Sequence, residues 1–481
     1  MKRASLSLLI LLGGCAVGPD FHQPAAPRQQ AYTPEPIAPM VAPEGLAGGT
    51  QQVHNEAVAQ DWWHLFGSPQ LDALVDRALA ANSDLTAARA ALDQARESWR
   101  AQRGVLFPTV DAGANASRNK SSQYLSAVPG DNSYTYSLQT AQVTVGYTLD
   151  LLGANRRGVE QAHAQFDAQR FQTEGARISL INTVAATAFQ EASLRSQIAA
   201  QARMIAIQSE TLEILRRQQA QGQAAGADVL AQEALLAQSR AALPPLQRAL
   251  AQSRDLLAYL AGGSAGDGPI AGIDLDTVTL PRDLPLSLPS ALVRQRPDVR
   301  AAEANLHAAS AGVGVAIANR LPQLTLSASA GGQSGGWASL LSAANTFWTV
   351  GSGITQPIFA GGSLLHKQRA ARAAYAQADA QYRSAVLSAF QNVADVLQAL
   401  QTDAAALDAA VQAQRSAQAS LTIARRQLQQ GQIAFATMLA AEQTLRQAEQ
   451  ALVQAQTARL TDTAALFEAL GGGWRPEAPP Q

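Results

Sequence analysis

One stretch of the sequence has the residue types and spacing of a catalytic nucleophile. "GQSGG", from Gly332 to Gly336, fits the G-x-S-x-G pattern that presents a reactive serine in hydrolases. In those enzymes a strand precedes the serine and a helix follows it. Here Ser334 is predicted to lie in the turn between two strands, so we expect neither a catalytic site nor enzymatic activity.

Other residues that could bind a metal or a nucleotide lack the required pattern. "GVGVA", from Gly312 to Ala316, lies on a predicted helix rather than after a strand, so close helix packing explains its glycines better than a phosphate site. The histidines are scattered without the spacing of metal ligands. They are His22, His54, His64, His163, His307 and His366. We therefore expect no metal and no cofactor, and we interpret these histidines as solvated or packed side chains.

The composition favours long helices. Of the 481 residues, 47% are hydrophobic, but only 5% are aromatic and 15% are charged. Long stretches rich in Ala and Gln are typical of extended helical proteins rather than compact enzymes. The net charge of −1 leaves no basic surface that would attract nucleic acid, and we exclude that partner.

The single cysteine follows a short secretory signal. Residues 1–14 combine two positive charges, a short apolar run and small residues, and they are too few to span a bilayer. "LGGC", from Leu12 to Cys15, is similar to the lipobox of bacterial lipoproteins, in which the cysteine becomes the acylated first residue. By that resemblance Ala16, rather than an aspartate, favours delivery to the outer membrane. The alternative is an ordinary cleaved signal with an incidental cysteine.

The chain contains a long internal duplication. The 28 residues from Arg216 to Leu243 match those from Arg425 to Leu452 at 15 positions without a gap, and Asp84 matches Asp298 in the same order. Such a repeat predicts two copies of one structural unit. The sequence then divides into a signal peptide (1–14), an extended arm from the lipidated cysteine (15–58), a first repeat (59–261), a linker (262–289), a second repeat (290–470) and a tail (471–481).

Each repeat has the same predicted order of elements. A helix begins at Ser83-Asp84 or at Pro297-Asp298 and ends before a proline. Two stretches with alternating apolar and polar residues follow, and this period predicts strands with one apolar face. A long helix comes next. From about Asn155 to Gln221 it would be roughly 100 Å long at 1.5 Å per residue.

Each long helix is predicted to reverse at a glycine. Gly222 breaks the first and Gly431 the second, and the return helices begin near Asp228 and Thr437. Apolar residues recur every seven positions in these tracts, as they do in coiled coils. Pro244-Pro245 interrupts one return helix and has no counterpart in the other, so we expect a bend in one hairpin only.

These elements predict a membrane protein with mixed α and β structure. Four strands of about ten residues can cross a bilayer, but an open sheet edge in lipid leaves backbone groups unpaired. Because single-chain barrels start at about eight strands, several chains must combine their strands. Three chains would give twelve strands, enough for a closed β-barrel, and their long helices would lie side by side in a helical tube below it.

Several motifs resemble those of TolC-like outer-membrane efflux proteins, in particular their NodT-like lipoprotein branch. The matching segments are "CAVGPDF" (Cys15 to Phe21), "DWWHLFGSPQLDALVDRALAANSDL" (Asp61 to Leu85), "RQRPDVRAAEANL" (Arg294 to Leu306), "RLPQLTLSASAG" (Arg320 to Gly331) and "TQPIFAGG" (Thr355 to Gly362). The resemblance covers Cys15 to about Leu470. It implies a homotrimeric duct that conducts drugs or other small molecules and is anchored to the outer-membrane lipid by Cys15. The implied fold is a trimeric 12-stranded outer-membrane β-barrel, continuous with a long periplasmic α-helical coiled-coil barrel. The resemblance also implies two protein partners, a periplasmic adaptor and an inner-membrane RND-type pump.

The resemblance further implies that the hairpin tips form the periplasmic entrance of the duct. Related proteins often constrict this entrance with an Asp and an Arg on the second return helix, where Ala440 and Gln443 stand here. The candidate entrance residues are Gly222, Asp228, Glu233, Gly431, Glu442 and Gln443. We expect Asp228 and Glu442 to face inward as a cation-attracting ring, the alternative being solvated outward charge. Arg216-Arg217 and Arg425-Arg426 could either grip a partner or be solvated charges on a helix face.

A structural envelope lipoprotein with a coiled-coil spacer role is the alternative hypothesis. Such a protein would explain the long helices and Cys15, but it would not need four alternating strands. Electrical conductance in a planar bilayer distinguishes the two, because only a duct conducts.

Overall fold

The computed structural model describes residues 16–25, 29, 31–45, 47–122, 135–268 and 272–474. The signal peptide, Cys15 and the last seven residues of the tail lie outside these described residues. The chain divides into two compact units. The sheet unit comprises the described parts of Met1–Pro24, Leu92–Gln169 and Ala302–Tyr382, and the hairpin unit comprises those of Ala25–Ala91, Arg170–Ala301 and Arg383–Gln481.

Most of the described chain is helical, and the predicted helix ends are close to the observed ones. The α-helices are α1 (Pro69–Ala81), α2 (Ser83–Gly104), α3 (Ala154–Ala220), α4 (Gly226–Leu260), α5 (Pro289–Gln295), α6 (Pro297–Ala318), α7 (Ser363–Gln429) and α8 (Phe435–Ala469). Helices α3 and α7 both have 67 residues, and α4 and α8 both have 35. The return helices α4 and α8 begin two residues before the predicted starts. Within the described chain, no helix is both long enough and apolar enough to cross a membrane.

The two consecutive prolines do not interrupt the first return helix. Pro244 and Pro245 lie inside α4, which continues to Leu260 and equals its counterpart α8 in length. The expected interruption is therefore wrong. Each proline removes one backbone donor, yet the helix runs through both residues. The bend expected at this point stays a prediction.

Four long strands form one antiparallel sheet in the sheet unit. The strands of the described residues are β1 (Gln52–His54), β2 (Thr109–Lys120), β3 (Thr135–Leu149), β4 (Asp283–Pro285), β5 (Gln323–Ser334) and β6 (Thr346–Thr355). The sheet order is β2-β3-β5-β6, so β2 and β6 are its edges. Neither edge has a further strand beside it among the described residues.

The register of this sheet confirms the predicted apolar face. Val110 is opposite Val145, which is opposite Ala328, and Ala328 is opposite Val350. Because successive side chains in a strand alternate between faces, these apolar rows share one side of the sheet. The next register position belongs to the opposite face of the sheet and is polar. It consists of Asp111, Thr144, Ser329 and Thr349.

Part of the predicted extended arm is packed rather than free. In the hairpin unit, β1 pairs in parallel with β4 of the linker. The buried guanidinium of Arg459 donates hydrogen bonds to the backbone oxygens of Met40, Ala47 and Gly49 at 2.9–3.1 Å, and to Oε1 of Gln51 at 3.1 Å. Sequence periodicity could not reveal this contact, because one arginine on α8 organises an irregular loop about 410 residues away.

An aromatic cluster forms part of the core of the hairpin unit. Trp62 stacks on Phe467 with ring centroids 5.0 Å apart, and Phe66 packs against Phe189 at 5.1 Å. All four side chains are fully buried. Burial of aromatic rings is among the largest hydrophobic contributions a residue can make, so the short segment around Trp62 helps to hold α3 and α8 together.

Candidate functional site at the hairpin tips

Both long helices end in the same hydrogen-bonded turn. The amide of Gly222 donates to the oxygen of Gln219 at 2.9 Å, and the amide of Gln223 donates to that of Gln218 at 2.8 Å. Gly431 and the residue after it repeat this pattern on α7. These two bonds define a Schellman motif, which requires a left-handed residue. The two glycines have φ angles of 73° and 71°, which confirms the predicted helix breaks.

The two hairpins share one hydrophobic core next to the tips. The buried apolar residues of this core come from all four long helices of the hairpin unit. They are Leu212, Leu215, Val229, Leu236, Ala417, Leu421, Ala424, Phe435, Met438, Leu445 and Ala448. Their spacing of three or four positions follows the heptad pattern of coiled coils. The tips are therefore packed against each other within one chain.

An ion pair occurs at the same place in both hairpins. Arg216 Nη2 on α3 lies 2.7 Å from Glu233 Oε1 on α4, and Arg425 Nη2 on α7 lies 3.0 Å from Glu442 Oε1 on α8. The partners are 17 residues apart in each hairpin, at equivalent positions of the duplication. In the first hairpin, the hydrogen bonds to Glu233 and then Glu213 raise the pKa of the Arg216 guanidinium.

The environments of the two pairs differ sharply. Glu233 keeps 39% of its side chain exposed, whereas Glu442 keeps 2%. The Oε2 atom of Glu442 has no hydrogen-bond partner among the described residues. Glu442 is therefore neither a free inward-facing carboxylate nor a solvated outward charge, and both expectations for it are corrected. Its carboxylate lies in the core between helices, where Arg425 compensates its charge.

The remaining predicted tip residues lie at the surface of the hairpin unit. Asp228 is half-buried in the first turn of α4, where a carboxylate complements the helix dipole. Gln443 is exposed, and so is Ala440. Their orientation toward a channel axis stays a prediction.

The first hairpin also contains polar layers that sequence reasoning missed. Gln201 Nε2 on α3 donates to the backbone oxygen of Ser239 on α4 at 2.7 Å, and Gln232 Nε2 donates to that of Gln208 at 2.8 Å. All four residues are buried. The oxygens Gln208 Oε1, Gln232 Oε1 and Ser239 Oγ have no hydrogen-bond partner among the described residues.

The second hairpin has alanine at each position equivalent to these polar layers. The counterparts, 209 residues further on, are Ala410, Ala417, Ala441 and Ala448. Comparing the two repeats position by position would have revealed this difference, and also the shared arginine–glutamate spacing. The first hairpin is therefore the more polar and less completely hydrogen-bonded of the two.

The residues that match catalytic or ligand-binding sequence patterns are not arranged as such sites require. Ser334 is the last residue of β5 rather than a turn residue, and the segment after it is a three-residue 3-10 turn instead of the helix that a nucleophile elbow needs. Its Oγ lies 2.5 Å from Ser339 Oγ. Gly314 packs directly against Gly18 of the irregular segment that follows Cys15, so close packing explains this glycine. Among the described residues, no group of three or more His, Cys, Asp or Glu side chains could hold a metal ion.

Comparisons with known proteins agree with this architecture. The chain matches the family described as outer membrane efflux protein over residues 74–263 and 288–472. It is 30% identical over 477 residues to the probable efflux pump outer membrane protein TtgC of Pseudomonas putida, covering 98% of this chain and 96% of that protein. It is 31% identical over 483 residues to the solvent efflux pump outer membrane protein SrpC of Pseudomonas putida, covering 98% and 99%.

A solved structure of the outer-membrane channel OprN has the same fold. Its TM-score is 0.85 at 28% identity, over 96% of this chain and all of that one. A mostly helical protein with long helical hairpins and one antiparallel sheet is thus the class that the fold defines. The chain belongs to the outer membrane efflux protein family. The predicted resemblance is confirmed, and it places the protein in the outer membrane with a role in efflux.

Proposed function

We propose that this efflux protein is the outer-membrane channel of a tripartite pump and that it works as a homotrimer. Each chain would contribute its four long strands to a twelve-stranded barrel. The hairpins α3–α4 and α7–α8 of the three chains would form a helical conduit in the periplasm. The duplication would supply two similar hairpins per chain and bring the threefold assembly close to sixfold symmetry.

The observation that carries this proposal is the four-stranded sheet with its two open edges. Its apolar rows suit contact with lipid on one face, while the opposite polar row suits a water-filled lumen. Unpaired backbone groups along β2 and β6 would be costly inside a bilayer. Pairing β6 of one copy with β2 of the next would satisfy them, and a closed ring leaves no edge.

The partners follow from this role. A periplasmic adaptor and an inner-membrane pump would deliver substrate to the hairpin tips, and the barrel would release it outside. The name of the relative SrpC refers to solvent efflux. By analogy we assign drugs or other small molecules as the substrates of this chain. Acylation of Cys15 would add a lipid anchor to the barrel.

The hairpin tips are the proposed gate. Each Schellman turn lies at the end of a continuous 67-residue helix, where helices can separate with the smallest loss of packing. The unsatisfied oxygens of the first hairpin lower the cost of separating it there. Asp228, Glu233 and Gln443 would line or flank the opening, whereas Glu442 would hold the second hairpin together.

Two measurements test the assembly and the duct. Native mass spectrometry in detergent should give three copies, and the purified protein in a planar bilayer should conduct ions. A stable folded monomer would contradict the trimer. A trimer without conductance would instead favour the coiled-coil spacer.

A crosslinking experiment tests the gate. In a Cys15→Ala background, Gln223→Cys and Gln432→Cys place thiols beside the two tip glycines. Crosslinking across the mouth should reduce both conductance and drug export, and a reducing agent should restore them. Unchanged conductance after complete crosslinking would show that the tips do not gate the channel.

A further inference from the structure

Two large apolar side chains next to the sheet are almost completely exposed to solvent. Ile358 is 89% exposed and Phe359 is 90% exposed, in the segment between the edge strand β6 and helix α7. Isolated apolar residues at a surface need no explanation, but an adjacent pair with such exposure indicates an interaction site. Both residues belong to the sheet unit.

The first repeat has a similar apolar pair in a covered position. Leu151 and Leu152 follow β3 by two and three residues, much as Ile358 and Phe359 follow β6 by three and four. Both leucines are only partly exposed. They line one cavity of about 600 Å³ together with Ala318, Asn319 and Pro322, which precede the neighbouring strand β5, and with Val105 and Phe107, which precede β2.

The covered leucines therefore mark a junction between two adjacent strands, β3 and β5. A chain leaving β3 passes the chain that enters β5, and the register confirms that these strand ends meet, because Leu149 is opposite Leu324. Strand β6 ends at the same side of the sheet, since Thr355 is opposite Gln323. Strand β2 begins there as well, since Thr109 is opposite Gly146.

The residues before β2 are the counterparts of those before β5. At the repeat offset of 214 residues, Ala318, Asn319 and Leu321 correspond to Gly104, Val105 and Phe107. Phe107 is 65% exposed and Val105 is 44% exposed. Val105 and Phe107 thus reach the cavity beside Leu151 and Leu152 but keep much of their surface exposed next to the open edge strand β2. Ile358 and Phe359 are exposed in the same way next to the open edge strand β6.

We propose that Ile358 and Phe359 of one copy pack against Val105 and Phe107 of the next copy. This inference rests on the proposed ring of copies. In that ring β6 of one copy lies antiparallel beside β2 of its neighbour, which continues the alternation of the sheet. The contact between chains then repeats the contact that Leu151 and Leu152 make within one chain.

Site-specific crosslinking tests this contact. Val105→Cys combined with Phe359→Cys should give products of two and three chain masses with a short bismaleimide in outer-membrane vesicles. Each single variant should give none. The experiment is run with Cys15 present and repeated in a Cys15→Ala background. If the first cysteine pair disturbs folding, Phe107→Cys combined with Ile358→Cys serves as the second pair.

Two further cysteine pairs serve as the positive and the negative control. Leu152→Cys with Asn319→Cys should link within one chain, so the mass stays unchanged. Val105→Cys with Leu341→Cys should give no product, because Leu341 is 79% exposed but lies in the β5–β6 connection at the other end of the sheet.

A lipid-facing position for Phe359 would overturn the proposal. In that case the paired cysteines would give no multimers although native mass spectrometry still finds three copies. Fluorescence of Phe359→Trp would then be quenched strongly by brominated lipid. Loss of the trimer itself would instead contradict the proposed function, so the two failures are distinguishable.

Discussion

The same arginine–glutamate pair occurs in both hairpins near the tips, but the glutamate is exposed in one hairpin and buried in the other. Arg216 and Arg425 have similar exposure, 49% and 45%, and each pairs with a glutamate on the return helix. Only Glu442 is buried. A buried carboxylate that loses its partner keeps an uncompensated charge in a poorly solvated place, whereas an exposed one is solvated by water. The repeat therefore provides a matched comparison within one protein.

We predict that Arg425→Ala destabilises the protein far more than Arg216→Ala does. Removing Arg425 leaves the carboxylate of Glu442 unpaired in the core, at a cost of about 3 kcal/mol in the free energy of unfolding. Removing Arg216 leaves Glu233 in contact with water and has little effect. Chemical denaturation of both variants in detergent measures the difference, and equal losses would contradict the assigned role of burial.

A carboxyl group in the hairpin unit links stability to pH. Burial, together with the neighbouring Asp462, raises the pKa of Asp403 to about 7, while Arg459 acts in the opposite direction. The folded state thus favours the protonated form more than the unfolded state does. The resulting stabilisation is complete below the ordinary pKa of 3.8 and is lost as the pH rises through about 7.

Replacing Asp403 should therefore flatten the pH dependence of stability. We expect the melting temperature of the unaltered protein to fall between pH 5 and pH 8, and this fall to be smaller in Asp403→Asn, because the amide resembles the protonated acid. Asp395→Asn, an exposed change on the same helix, is the control. An unchanged pH slope in Asp403→Asn would exclude Asp403 as the source.

At the scale of elements, the two hairpins have equal lengths but different interiors. The first buries the layers formed by Gln201 with Ser239 and Gln208 with Gln232, and the second has buried or partly buried alanines at the equivalent positions. Each buried oxygen without a partner has lost its hydration without a replacement hydrogen bond. We therefore expect the helices of the first hairpin to separate at a lower free-energy cost than those of the second.

Apolar replacement of one polar layer should stabilise the first hairpin. Gln208→Leu combined with Gln232→Leu removes two unsatisfied oxygens at nearly constant volume, and we expect a gain of about 1–3 kcal/mol in unfolding free energy. If this hairpin takes part in gating, single-channel recordings should also show fewer openings. Gln247→Leu on the exposed surface of α4 is the control. A loss of stability in the double variant would contradict this account.

At the scale of the whole molecule, the proposed barrel and the proposed lipid anchor would be separate attachments to the outer membrane. Cys15 follows the predicted signal directly, and the segment after it is held in the sheet unit. The amide of Val17 donates to the oxygen of Leu152 at 3.0 Å, and Asp20 pairs with Arg157 at 2.5 Å. Loss of the acyl chain would leave these contacts and the strands unchanged.

We predict that Cys15→Ala abolishes lipid labelling without abolishing membrane insertion. Radiolabelled palmitate should be incorporated into the unaltered protein and not into the variant, whereas both should sediment with outer-membrane vesicles. Ala16→Ser, a small change at the next position, should keep the label and is the matched control. Equal labelling of the Cys15→Ala protein would disprove the assignment of Cys15 as the acylated residue.

The sequence by itself determined the local structure to a large extent. Helix ends depend on backbone rules that act over a few residues, so α3 was predicted within one residue at each end. Glycine is the residue that adopts a left-handed turn most easily, and Gly222 and Gly431 were recognised for that reason. Strand faces follow from a period of two, so the apolar rows of the sheet were predictable before their partners were known.

Only the tertiary structure decided which side chains meet. The rotation of one helix against its neighbour decides whether Glu442 points into the core or into water, and heptad spacing leaves that choice open. The contacts of Arg459 with the loop from Met40 to Gly49 join segments about 410 residues apart, which no local pattern encodes. These features arise from packing between distant segments, because burial and pairing are properties of the folded neighbourhood rather than of the residue.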